Sequence, residues 1–529
     1  MLDLLLKNCR IVDGMGNPWF KGDIGITGDR IARMGDLSGA AAHRVVDAAG
    51  RAAAPGFIDI HSHSDFTLHE FPRSESRIFQ GVTTEVVGNC GFSPFPVAPD
   101  HREELEKYTG FLTRTLPWSW ADADGFARFL GAFPLGPNVV LQVGHGTVRI
   151  AVMGFDDRPA TPDELAAMER LVAQAMAQGA AGLSSGLAYA PGCYAPESEL
   201  VALARVVARY GGFYSSHIRN ESDRVEESVA EALTVGREAA LPVQLSHHKA
   251  AGRSNWGKVH RTLALMDEAR SRGEDVAADQ YPYTASATTM TSQLPDWALA
   301  GGVDAMMARL RDPATREQIR QHLRRGDQDR WEQVHVSSVA VPDHRTWEGR
   351  CVAEVARAWG IEPAEAVCEL LEANAGDVGQ VSFTMDEADV RTVMRHPAVA
   401  IGSDGLAFAP RGGGKPHPRY YGTFARVLGH YRRDEGILSL EEAVRKMTSL
   451  PAARVRLWDR GILRPGAAAD VVLFDPETVA DAATFSDPHR YPIGIDLVIV
   501  GGQILVEGGQ DTGATAGRLL RRGEGAGLR

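Results

Sequence analysis

Six side chains in this 529-residue sequence have the types to act together on one small molecule: His61, His63, Cys90, His217, His247 and Asp404. Imidazole, thiolate and carboxylate are the donors that suit a zinc-class ion. His61 and His63 form an HxH pair, and residues i and i+2 of a strand share a face, so both rings can reach one point. His247 is preferred to its neighbour His248 because adjacent strand residues point to opposite faces. Each residue alone has a plainer reading. Cys90 could be a small buried hydrophobe, either later histidine a hydrogen-bonded core residue, and Asp404 in GSDG a turn former.

Their positions make the plain readings hard to sustain together. Apolar, strand-like runs precede GFIDIHSHSD, TTEVVGNCGFS, NVVLQVGHGTVR, AAGLSSGLAY, GGFYSSHIRNE, PVQLSHHKAAG, DVAADQYPY and AVAIGSDG, eight runs in all. Helix-patterned stretches such as PDELAAMERLVAQAMAQG, ESELVALARVVARYG and RVEESVAEALTVGREAA fill several of the intervals. From His61 to Cys90 is 29 residues, from His217 to His247 is 30, and from His247 to Tyr281 is 34. One strand with its return helix and loops takes roughly 30 residues. The fold class expected is therefore α/β, a (β/α)8 TIM-like barrel over 55–460 with its reactive groups at the C-terminal ends of the strands. His61 and His63 would follow the first strand, Cys90 the second, His217 the fifth, His247 the sixth and Asp404 the eighth. Tyr281 to Asp404 spans 123 residues, too many for one unit, so an inserted subdomain is expected at about 285–345.

The two ends of the chain look alike. LLLKNCRIV, DIGITGDRIARMG and HRVVDAAG near the start, and GILRPGAAADVVLFD and IDLVIVGGQILVEGG near the finish, are short β-rich runs parted by Gly and Asp turns. They suggest one small β-sandwich domain built from 1–54 and 461–510, with 511–529 a loose Gly- and Arg-rich tail. Composition agrees with a folded protein: 44% hydrophobic and 23% charged residues. A net charge of -12 with no basic tract argues against a nucleic-acid partner. The first apolar run is too short for a membrane span and lacks a small-residue cleavage site. Five scattered cysteines do not suggest a disulfide framework. A cytoplasmic location without membrane contact is the expectation.

Beyond spacing, PGFIDIHSHSD, GVTTEVVGNCGFSPFPV, GLSSGLAYAPG, SSHIRNESDRV, LSHHKAAG, DQYPYTAS and IGSDG resemble the N-acyl-D-amino-acid deacylases of the amidohydrolase superfamily, over nearly the whole chain. GNCGFSP and SHIRNES are specific to that branch; HxH and GSDG indicate only the superfamily. GLSSGLAYAPG lacks the lysine that many superfamily members carry after the fourth strand. The resemblance implies zinc as cofactor, with Cys90, His217 and His247 at a tight site. It also implies a second, weaker site at His61 and His63, which Cys90 could bridge. Asp404 would be the catalytic carboxylate, taking a proton from the attacking water and returning it to the departing amine. His61 and His63 would serve the second metal or stabilise the oxyanion. The partner implied is a small N-acylated amino acid.

Its α-carboxylate calls for cations and hydroxyl donors. Lys249 lies two residues beyond His247, on the same strand face. The resemblance assigns carboxylate contacts to Lys249, Tyr281 and Arg419, with Tyr189 lining the site and Tyr283 a further candidate. The plainer reading makes the two cations solvated loop charges and packs the tyrosines against the insert. His145 in VGHG could equally be structural. The alternatives to a linear-amide deacylase are a cyclic amide or imide hydrolase (hydantoinase- or dihydropyrimidinase-like), a hydrolase using Cys90 as nucleophile, and a non-catalytic scaffold. Side-chain preference would be set by TTMTSQLPDWAL and GLAFAPRGGG, which are too mixed to decide it. Handedness and oligomeric state are not encoded in the spacing.

Overall fold

The computed structural model describes residues 1–409 and 414–523; part of GLAFAPRGGG and the last six residues of the expected tail lie outside the described residues. Parallel strands, buried on both faces, run through the centre, as expected where helices cover a sheet from outside. Their hydrogen bonds form two ladders. One runs Leu519–Leu520, Asn138–Leu141, Val82–Val87, Phe57–Asp59, and the other Val143–Gly144, Gly182–Gly186, Phe213–His217, Val243–Leu245, Val276–Gln280, Val399–Ile401. The third expected run is thus broken at Gln142, whose amide still donates to the Val87 carbonyl (2.9 Å).

The ladders do not close into one continuous barrel sheet. Between Phe57–Asp59 and Val399–Ile401 the strands themselves do not pair. The join lies just beyond them, where the Asp404 amide donates to the His61 carbonyl (2.7 Å) and the His63 amide to that of Gly405 (2.8 Å). Two candidate reactive loops are therefore stitched directly together.

Helices connect the strands. Pro162–Ala177 starts on a capping box in which the Thr161 hydroxyl accepts from the Glu164 amide and the Glu164 carboxylate accepts from the Thr161 amide. Glu197–Arg209 and Val225–Ala239 follow, each with acidic residues in the first turn and an arginine in the last, which complements the helix dipole.

The two chain ends meet in one nine-stranded sheet, not in two separate sheets. Leu2–Ile11 is long enough to pair with Ala42–Asp47 along its first half and with Ala52–Pro55 along its second. Val471–Phe474 continues the order antiparallel to Ala52–Pro55. The expected loose tail is tied down as far as it is described. Leu519 and Leu520 pair with Val139 and Val140, and the Arg522 guanidinium donates to carbonyls of Met176, Ala180 and Tyr210. Two leucines suffice for an edge strand but leave no periodicity to read.

The long interval before Asp404 builds a three-stranded antiparallel sheet, Ser286–Thr289, Val378–Ser382, Val334–Val339 in that order. Four helices pack on it around Trp331, Leu310, Ile319 and Leu371. Its middle strand comes last in sequence, so these elements reach residue 382 and not only about 345.

Candidate active site and its metal-capable cluster

A cavity of about 440 Å³ opens where the parallel strands end, with strand-end residues as its floor and the inserted sheet as its roof. The floor is built on backbone that few residues tolerate. Cys90, His247 and Asp404 all have positive φ (53°, 35° and 51°), a conformation that costs free energy and is retained where surroundings enforce it. The GNCG turn shows how. Gly88 has φ 80°, and a Cβ there would sit 2.2 Å from the Gln142 carbonyl oxygen. The Asn89 amide donates to the carbonyls of Ser62 and Val86, which ties this turn to the histidine loop.

His61, Cys90, His247 and Asp404 form one buried group whose ligand atoms all lie within 4.8 Å of one another. Cys90 Sγ is 3.2 Å from His61 Nε2 and 3.3 Å from His247 Nε2. Asp404 Oδ1 is 3.2 Å from His63 Nε2 and 3.5 Å from His61 Nε2. His217 belongs to an adjoining group with Glu221 and His247, its ring centroid 4.4 Å from that of His247. All six expected residues converge. His248 does not: its Nε2 meets the Thr262 hydroxyl at 2.7 Å on the far side, and burial pushes it down to about 4.

Two carboxylates that sequence reasoning missed hold this arrangement. Asp279 Oδ1 accepts from His61 Nδ1 (3.0 Å) and from the His247 amide (2.8 Å), while Oδ2 accepts from Gln244 (2.9 Å). Glu221 lies 3.0 Å from His247 Nδ1 and 3.8 Å from His217 Nε2, and pairs with Lys249. A carboxylate behind a ligand-type imidazole fixes its tautomer and orientation. Glu221 stood four residues after His217 in SHIRNES, and Asp279 two before Tyr281. Both were visible as acids near a strand end, without a stated partner.

Electrostatics favour charged donors. Burial by itself would push the Cys90 thiol up, but the imidazoles of His61 and His247 outweigh it and hold the thiol well below its ordinary value. Burial also opposes ionisation of Asp404, yet Arg419 and the histidines hold its carboxyl well below the usual range. Glu221 is likewise held low against burial by Lys249, His217 and His247. Burial pushes His217 down, toward the neutral form a metal ligand needs.

The expected substrate contacts divide. Lys249, Tyr281, Tyr189 and Arg419 line the cavity. Lys249 Nζ also lies 2.9 Å from His247 Nδ1, and the Arg419 guanidinium carbon stands 4.7 Å over the Tyr281 ring. Tyr283 does not line it. The Tyr283 amide donates to the Tyr281 carbonyl, a tight reversal that turns the ring away against His417 and Arg426. His145 is structural, pairing at 2.8 Å with Glu199, which also takes Arg149.

The family model described as Amidohydrolase family matches residues 44–506. The N-acyl-D-glutamate deacylase of Alcaligenes xylosoxydans xylosoxydans is 40% identical, over 98% of this chain and 97% of its own. The D-aminoacylase of the same organism is 39% identical, over 98% of each. Among solved structures, the N-acyl-D-glutamate deacylase from Bordetella bronchiseptica, complexed with zinc and a phosphonate mimic of the tetrahedral intermediate, superposes with a TM-score of 0.85 at 36% identity, covering 98% of this chain and 99% of that one. An L-hydantoinase from Arthrobacter aurescens, at 18% identity and TM-score 0.57 over 99% and 100%, shares the fold. The chain therefore belongs to the amidohydrolase family of metal-dependent hydrolases. Within it, the chain is a member of the N-acyl-D-amino-acid deacylases, the D-aminoacylases.

Proposed function

We propose that this protein hydrolyses the amide bond of N-acyl-D-amino acids, releasing a carboxylate and the free D-amino acid. The observation that carries the reading is the buried cluster of His61, Cys90, His247 and Asp404 on the floor of a cavity that also holds Lys249 and Arg419. Two imidazoles, a thiolate-prone cysteine and a carboxylate match the donor preferences of zinc. Cys90, His217 and His247 would hold the tight ion, and His61 and His63 a second, weaker one. Bound zinc lowers the pKa of water toward neutrality and polarises a carbonyl.

The protein's own groups do the rest. Asp404, ionised at neutral pH, accepts the proton of the attacking water and passes it to the amine nitrogen as the C–N bond breaks. His63, 3.2 Å from that carboxylate, steadies it. Lys249, Arg419 and Tyr281 receive the substrate's α-carboxylate, and Tyr189 lines the site beside them. Arg419 is 2.8 Å from Asp404 Oδ2, so it sets binding and proton transfer in one frame. We read the two parallel ladders as one (β/α)8 barrel, with a small β-domain from both chain ends and the inserted subdomain as its roof. A cyclic-imide substrate is disfavoured because the stretch after the fourth strand, GLSSGLAYAPG, has no lysine. No helix among the described residues is long and apolar enough to cross a membrane.

Elemental analysis with paired N-acetyl-D- and N-acetyl-L-amino acid assays, before and after chelation, tests the reading. Zinc near one per chain and chelator-sensitive turnover of the D series alone are expected. Metal without turnover of either series would overturn the substrate, and no metal with no effect of adding it would overturn the mechanism.

A further inference from the structure

We infer that the inserted sheet is a side-chain recognition platform that selects substrates whose side chain ends in a carbonyl oxygen, a carboxamide or a carboxylate. The inference rests on the deacylase reading and deepens it.

Register places the polar residues on one face. Ser286 pairs with Ser382 and Thr288 with Gln380, and alternate residues of a strand share a side. All four line the cavity. Ser382 is only 7% exposed, and its hydroxyl has no hydrogen-bond partner among the described residues. Buried hydroxyls are ordinarily bonded, so this donor is free for an occupant of the cavity. Beside it the Gln380 amide donates to the Ser292 hydroxyl (3.3 Å), and the Gln293 amide donates to Gln380 Oε1 (3.2 Å). That relay holds one carboxamide in place at the roof with an N–H to spare.

The platform stands close to the chemistry. One Arg419 nitrogen lies 2.8 Å from Asp404 and another donates to the Ala287 carbonyl (3.1 Å). The first strand of the sheet is therefore one guanidinium away from the proposed base. Tyr189 meets Thr288 at 2.9 Å on the other flank. With its α-carboxylate against Lys249 and Arg419 and its amide at Asp404, a substrate sends its side chain toward this face. An aliphatic side chain would leave the Ser382 hydroxyl, and the one N–H of Gln380 not given to Ser292, desolvated without partners. That is the arrangement by which a site rejects an analogue lacking the polar group.

The experiment compares kcat/KM for N-acetyl-D-glutamine, N-acetyl-D-glutamate and N-acetyl-D-leucine in wild type, Ser382→Ala and Gln380→Leu. At least one polar substrate is expected to exceed leucine by about tenfold or more, and its identity tells carboxamide from carboxylate. Ser382→Ala breaks no internal hydrogen bond, and should lower the polar-to-leucine ratio about fivefold. Leucine equal to or above both polar substrates, or a ratio unmoved by both variants, would overturn the platform. Calorimetric binding of D-glutamine, D-glutamate and D-leucine separates the two readings. Tighter polar binding without turnover overturns the deacylase reading and leaves the platform standing.

Discussion

On the floor of the cavity, charges answer one another: Glu221 meets Lys249 and His247, Asp404 meets Arg419 and His63, and Asp279 meets His61. On the roof, the inserted sheet offers neutral groups, Ser286, Thr288, Gln380 and Ser382. The floor is carried by parallel strand ends with strained turns, the roof by a separate small sheet with its own core. The difference separates two tasks. Groups that move protons need fixed positions in a preorganised electrostatic frame, and mutual pairing supplies that rigidity. Groups that sort side chains need only a patterned surface, which can change without disturbing the frame.

The comparison can be broken most forcefully on the floor. Asp404→Asn should lower kcat/KM about 10²- to 10⁴-fold while bound zinc stays unchanged by elemental analysis; near-normal turnover would remove Asp404 from the chemistry. Asp279→Asn acts through the imidazoles it orients. Zinc affinity should fall about 10- to 100-fold in competition with a chromophoric chelator, with much of the activity regained at saturating zinc. Unchanged affinity would make the Asp279 contacts incidental. The roof substitution Ser382→Ala comes next, changing selectivity more than rate. Smallest of all is Tyr283→Phe. Its hydroxyl is buried without a hydrogen-bond partner among the described residues, so its loss should leave kcat/KM within about twofold. A large rise in KM would return Tyr283 to the substrate site.

How much was legible follows from the kind of contact involved. His61, His63, Cys90, His217, His247 and Asp404 could be picked out because a repeating strand–helix unit puts every strand end on one side, so spacing alone predicts convergence. Glu221 and Asp279 were not, because their roles are defined by partners on neighbouring strands, not by their own local pattern. Whether Tyr283, a candidate by its nearness to the strand end, faces the cavity is decided by a local reversal: the chain turns just after Gln280 and directs the ring against His417. The insert's length was underestimated because its central strand, Val378–Ser382, pairs with segments about forty and ninety residues earlier.

The sequence by itself determined the residue types at the strand ends, the helices between them and the β-rich character of both termini, since periodicity and turn chemistry are local properties of the chain. Only the tertiary structure decided which carboxylate orients which histidine, which tyrosine faces the cavity, how the terminal leucines edge the Asn138–Leu141 strand, and which face of the insert roofs the site. Those outcomes depend on long-range pairing and burial, where side chains distant in sequence first acquire a shared electrostatic and steric environment.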